Sequence, residues 1–210
     1  MKKNIAIAFL TCGLLLACKN EPKAAVEDAK EVKEIVTTHN YTIKPDSKIF
    51  WQANKIVGGH TGSFSAEEGI LKFEGENLKG GKVTFPIKTL KVTDIPETEE
   101  SYGKLVGHLL SPDFFDMEKY SNATFEITNV EGNKITGNLN LKGITKSISF
   151  DAIITHSEDL VQVSSNKFTI DRTLWGIEYN SGKIADPAEL GDYLIKDDVE
   201  IKIDVKASKS

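Results

Sequence analysis

The chain has 210 residues, 26 of them Lys or Arg and 31 Asp or Glu, and a formal net charge of −5. An acidic surface with no basic stripe excludes nucleic acid as a partner, since that binding rests on Lys and Arg set against phosphates. It also offers nothing to anionic lipid headgroups, so any membrane attachment must come from elsewhere in the chain.

The first 18 residues, MKKNIAIAFLTCGLLLAC, start with Lys2 and Lys3, continue as an apolar run from Ile5 to Leu16 and end Leu15-Leu16-Ala17-Cys18. The run is shorter than the roughly 20 residues that cross a bilayer, so it reads as a cleaved targeting segment. A cysteine directly after Leu-Leu-Ala resembles the lipobox of bacterial lipoproteins. That resemblance implies a signal peptide at 1–17 and a mature chain that begins at an acylated Cys18. More than one acyl chain would hold the protein stably on a membrane. Without Lys2 and Lys3 the balance is −7, and attachment rests on the anchor alone. Cys12 lies in the removed segment, which leaves no pair for a disulfide. Lys19, by analogy with enteric bacteria, favours the outer membrane, on its periplasmic or surface face.

Residues 18–39, rich in Ala, Glu, Lys and Val, carry too little apolar surface to form a domain and read as a lipid-anchored tether, extended or partly helical. From residue 40 to 210 the apolar pattern has a period of two. Ile49, Trp51 and Ala53 alternate with Phe50, Gln52 and Asn54; Leu71 and Phe73 alternate with Lys72 and Glu74. The same holds for Val83, Phe85 and Ile87, for Ala123, Phe125 and Ile127, and for Leu139 and Leu141. It continues through Ile148, Phe150, Ala152 and Ile154, then Phe168 and Ile170, and closes with Val199, Ile201, Ile203 and Val205. About eight such strands, broken by glycine and asparagine turns, predict an antiparallel sheet with one wet and one dry face. No long amphipathic helix is available to cover the dry face. The sheet must therefore bury it by closing into an up-and-down barrel or folding into a sandwich, and a barrel of that size is either filled or holds one apolar ligand.

Five stretches carry a resemblance: GGHTGSF (58–64), GGKVTFPIKTLKVTDI (80–95), KLVGHLLSPDFFDMEKYSNATFEI (104–127), ITGNLNLKGITKSISFDA (135–152) and FTIDRTLWGIEYNSG (168–182). Together and in this order they resemble the YceI-like family. The resemblance implies a lipocalin-like antiparallel barrel with an apolar cavity, binding of a polyisoprenoid or isoprenoid quinone in the bacterial envelope, and no cofactor. Ser121 stands where the family often has proline. The alternative is a barrel filled by its own side chains that serves as a structural or interaction module. For the cavity, the expected lining is Trp51, Phe73, Phe85, Phe114, Phe115, Phe125, Phe150 and Trp175.

No catalytic constellation assembles in the sequence, and an enzyme is not expected. His60, His108 and His156 lack metal-ligand spacing. Asp113 and Asp116 invite a reading as paired acids, but Ser111 and Pro112 before them look like an N-cap and first position of a short helical turn. That turn is expected to cap one end of the barrel, with Phe114 or Phe115 on the apolar interior. Asp171 and Arg172 interrupt an alternation and read either as an ion pair at a barrel rim or as Arg172 pairing at the surface.

Overall fold

The computed structural model describes residues 21–210; the segment 1–17 and Cys18 lie outside the described residues. The two-residue alternation becomes strands with one buried face. In β5 (Glu68–Glu74), Leu71 and Phe73 are buried while Ile70, Lys72 and Glu74 are exposed. Eight strands form a closed antiparallel barrel: β2 (His39–Ile43), β5, β6 (Asn77–Pro86), β8 (Asn122–Glu131), β9 (Lys134–Leu141), β10 (Ile144–Ser157), β11 (Leu160–Ser165) and β13 (Asp198–Lys209). Each pairs with the next, and β13 returns to β2 with Ala207 opposite Ile43 and Lys209 opposite Tyr41. Closure removes the unpaired edges of an open sheet.

The two ends of the barrel differ. At one end Phe73 packs edge-on against Tyr41 at 5.1 Å and His156 at 5.4 Å, and the buried Val161 and Ala207 face each other across β11 and β13. This end is a packed floor. Toward the other end the long β13 changes partners. On one side it passes from β2 to β3 (Lys48–Asn54), which continues through β4 (Gly59–Ser65) to β7 (Lys91–Val92). On the other it passes from β11 to β12 (Phe168–Asp171), while β11 holds only the second half of β10. The first half of β10 and β12 are joined through a strand from the N-terminal segment.

That strand is β1 (Ala25–Asp28), antiparallel to β10 with Ala25 opposite Ser149 and Asp28 opposite Lys146. Just before it, Ala24 N–H donates to Thr169 O at 2.8 Å and Thr169 N–H to Pro22 O at 3.0 Å, so the same segment runs parallel to β12. Ala24 is buried and Val26 packs on the core. The chain then crosses the outside of the barrel. The Asn138 side chain on β9 accepts from Lys30 N–H at 2.9 Å and donates to Lys30 O at 2.7 Å, and Thr38 N–H reaches Phe73 O at 2.9 Å. Ile35 occupies a dimple left by Gly80, where a Cβ would come within 2.3 Å of Ile35 Cδ1. From Pro22 onward the expected tether is therefore a stave and a strap. A side-chain amide that mimics a peptide, a missing Cβ and an unpaired strand edge hold it in place, and it contains no helix.

Candidate functional site

Above the floor the barrel is not filled. A cavity of about 200 Å³ lies among β3, β4, β5, β6, β8, β9, β10, β11, β12 and β13, and among the described residues every one that lines it is apolar except Arg172. Trp51, Phe85, Phe125 and Phe150 line it from the strands, and Phe114 and Phe115 from the connection between β7 and β8. Phe150 stacks on Phe168 at 4.9 Å, which gives one wall a double aromatic layer. Two residues expected in the lining do not belong to it. Phe73 points inward but sits in the packed floor, where Tyr41 and His156 enclose it. Trp175 is fully buried, with its indole N–H donated to Leu139 O at 3.1 Å, and it packs within the core.

A lid crosses the open end. Its first part is α1 (Glu100–Leu110), a helix absent from the expected elements, with Glu100 at its positive end and a Glu100–Lys104 ion pair at 2.8 Å. None of its residues is fully buried, and only Leu109 reaches the cavity wall. Ser111 caps the C-terminus of this helix, donating both N–H and hydroxyl to His108 O at 3.1 and 2.8 Å, instead of starting a new helix. Its carbonyl then accepts from Phe114 and Asp116, which folds Pro112–Phe115 into a turn, and Asp116 takes a left-handed φ of 48° to complete it. The turn drives its two phenylalanines inward. Phe114 is buried, and Phe115 meets Phe64 of β4 edge-on at 5.4 Å. Lys142 ties the lid down, with its ammonium donating to Pro112 O at 2.9 Å and to Gly176 O at 3.1 Å.

The polar residues singled out in the sequence form separate pairs on the outside. His108 Nε2 lies 3.2 Å from Asp113 Oδ2, with the His108 ring edge-on to Phe114 and Tyr179. His60 Nδ1 lies 2.9 Å from Asp94 Oδ2. Burial pushes the Asp94 carboxyl up, but the Thr61 N–H and His60 hold it below its ordinary range. Asp113 engages His108 while Asp116 shapes the backbone with a left-handed φ, so the two acids have different surroundings.

Arg172 is not the surface residue of the second expectation. It is only 4% exposed and lies in the cavity wall. Its guanidinium donates to Ile177 O at 2.7 Å, Ile195 O at 3.0 Å and Lys196 O at 3.2 Å, and sits 3.6 Å from Asp197. It therefore fastens the two ends of the 177–196 loop at the cavity's open end. Beside it the buried Asp171 accepts from Thr173 and pairs with Lys183. Burial pushes its carboxyl up, but Lys183 and Thr173 outweigh that and hold it below the usual carboxylate range. Leu109, Ile177 and Ile195 also line the cavity without having been expected there. They come from a helix and a loop, where a strand-based alternation gives no signal.

The YceI-like domain is matched by residues 41–207. Among curated proteins, a UPF0312 protein of Vibrio parahaemolyticus is 34% identical over 96 residues, 43% of this chain and 48% of that one. A UPF0312 protein of Pseudomonas aeruginosa is 35% identical over 95 residues, 43% of this chain and 47% of its own. The chain thus spans about half the length of the curated relatives it matches. Two solved structures share the fold. BcnA of Burkholderia cenocepacia aligns with a TM-score of 0.57 at 20% identity, over 77% of this chain and 96% of that one. A polyisoprenoid binding domain from Saccharophagus degradans, implicated in plant cell wall breakdown, aligns with a TM-score of 0.62 at 13% identity, over 82% of this chain and all of its own.

Proposed function

The chain belongs to the YceI-like family, and on that premise we propose that it is an envelope lipoprotein that holds one long apolar lipid, of polyisoprenoid or isoprenoid quinone type, in the barrel cavity. The observation that carries this reading is the cavity itself, lined by apolar side chains but for Arg172, with a packed floor and a lid. A void of about 200 Å³, at about 24 cal/mol per Å³, costs on the order of 5 kcal/mol, comparable to the whole stability of a marginal domain. A barrel meant only as a scaffold would be filled. An isoprenoid tail needs few polar partners and gains roughly 25 cal/mol for each Å² of apolar surface taken out of water.

The lipoprotein part of the proposal rests on the Leu-Leu-Ala-Cys sequence. Acylation of Cys18 would bring the barrel to a membrane, where such lipids are found. The role is binding, for carriage, storage or stress protection, without a reaction. Native mass spectrometry of the full chain before and after solvent extraction tests the ligand. A mass excess that extraction removes, and that an added isoprenoid restores, is the expected result; a bare polypeptide mass throughout refutes the reading. The anchor is tested separately by the mass of the N-terminal peptide in the parent protein and in Cys18→Ser.

A further inference from the structure

Within the cavity wall one polar atom has nothing to bind. Trp51 sits between Ile49 and Ala53 on the inward face of β3, and all three line the cavity. Its indole is located by the neighbouring strand, since Trp51 is opposite Gly62 and a Cβ there would stand 2.3 Å from Cζ2 and 2.4 Å from Cε2. The indole Nε1 is closed off from solvent and has no acceptor within reach. Trp175 shows what this chain does with a buried indole N–H when protein supplies the partner: it is bonded to Leu139 O. An unmade buried donor is costly and uncommon, and here it borders the apolar cavity.

The charge around the cavity restricts what that ligand carries. Among the described residues the charged one in the lining is Arg172, which is committed to three backbone carbonyls and to Asp197. No uncommitted cation faces the cavity among the described residues, and an anionic head taken into such a site would lose its hydration without gaining a counter-charge. We propose that Trp51 Nε1 is the recognition donor of the cavity, giving its hydrogen to an uncharged acceptor oxygen, such as a ring carbonyl, carried by the bound lipid. This inference rests on the container reading above. It adds to that reading a choice among apolar lipids: a tail with a neutral oxygen-bearing head is preferred over a bare hydrocarbon and over a polyprenyl phosphate.

The test uses three probes on the full chain cleared of bound lipid: a ubiquinone with a two-isoprene tail, squalene and geranylgeranyl phosphate. Affinities are measured for the parent protein and for Trp51→Phe, which keeps an aromatic ring and removes the donor. The quinone is expected to bind tightest, and Trp51→Phe to weaken it about three- to tenfold while squalene is unchanged. In the ¹⁵N-labelled parent, the Trp51 indole proton is expected to move downfield with the quinone and not with squalene, and that of Trp175 to stay in place. The indole shift decides alone should Trp51→Phe fail to fold. Equal binding of quinone and squalene with no indole shift, or tightest binding of the phosphate, overturns the role of Trp51 and leaves the container standing. If none of the three binds, the container reading falls and this inference with it.

Discussion

Trp51 and Gly62 face each other across β3 and β4, and the indole occupies the space that a side chain at position 62 would need. A Cβ at Gly62 would also stand 2.0 Å from the Lys91 carbonyl, which is backbone and cannot step aside. Gly62→Ala is therefore expected to destabilise the protein by about 3 kcal/mol and to displace Trp51 from the cavity wall. Chemical denaturation reads the first effect and indole fluorescence the second.

The lid offers the opposite case. Gly103 and Gly107 lie inside α1 with nothing within 4 Å of where a Cβ would be. Alanine at either position should stabilise the helix by roughly 0.5–1 kcal/mol, and the pair should lower amide exchange along α1. If the lid admits the ligand, the double variant will take up an isoprenoid probe more slowly with little change in affinity. An unchanged uptake rate would mean that the ligand enters elsewhere.

These glycines also bear on how α1 reads in the sequence. Tyr102, Leu105, Val106, Leu109 and Leu110 recur at helical spacing, so the amphipathic pattern is present, but Gly103 and Gly107 lower the helix propensity of so short a stretch. The strands were legible because every inward residue meets the same apolar interior, and a period of two survives any local exception. Phe114 and Phe115 were legible as a cap from composition alone, since two phenylalanines between solvated acids must turn inward. Phe73 and Trp175 share the aromatic character of the true lining residues. Depth along the barrel separates them, and depth follows from strand register, which one sequence does not display. The burial of Arg172 was illegible for a related reason: besides Asp197 its partners are carbonyls of a loop, and backbone acceptors have no sequence signature.

Arg172 fastens that loop through its carbonyls, and removal of the guanidinium leaves Ile177 O, Ile195 O and Asp197 without it in a largely dry site. Arg172→Met is expected to cost about 3–5 kcal/mol and to loosen residues 177–196 in hydrogen exchange before the barrel strands. Simultaneous loosening of loop and barrel would show that the loop has no separate stability.

Asp171 gives the fold an acid limit. Its folded value lies below the ordinary carboxylate value, with Lys183 and Thr173 outweighing the effect of burial, so the unfolded chain takes up the proton first as pH falls. The stabilisation is fully present above about pH 4 and drains as pH drops through the lower folded value. Asp171→Asn should be less stable at neutral pH, lose less between about pH 4 and pH 2, and converge on the parent curve at the acid end. Parallel curves would place the acid sensitivity in other carboxylates, such as Asp94.

One side chain ties the strap to β9. Asn138 exchanges two hydrogen bonds with Lys30, both at an exposed position, so Asn138→Ala should cost only about 1 kcal/mol globally. It should nonetheless make residues 29–37 markedly easier to cleave by protease, while β1 stays protected by β10. Cleavage at an unchanged rate would show that Ile35 over Gly80 holds the strap alone.

The ring closes where Tyr41, Thr42 and Ile43 meet Lys209, Ser208 and Ala207. These partners are separated by most of the chain, so the pairing carries a large loop-closure cost and belongs late in folding. Until the last strand arrives, the phenylalanines of the cavity have neither a wall across from them nor a lid above. A chain that has formed every other pairing but this one would present an open sheet with its apolar face uncovered, the form most exposed to aggregation. The container can be loaded only once it has been built to its final strand, and a lipid present at that moment would act on the folding equilibrium as well as occupy the product.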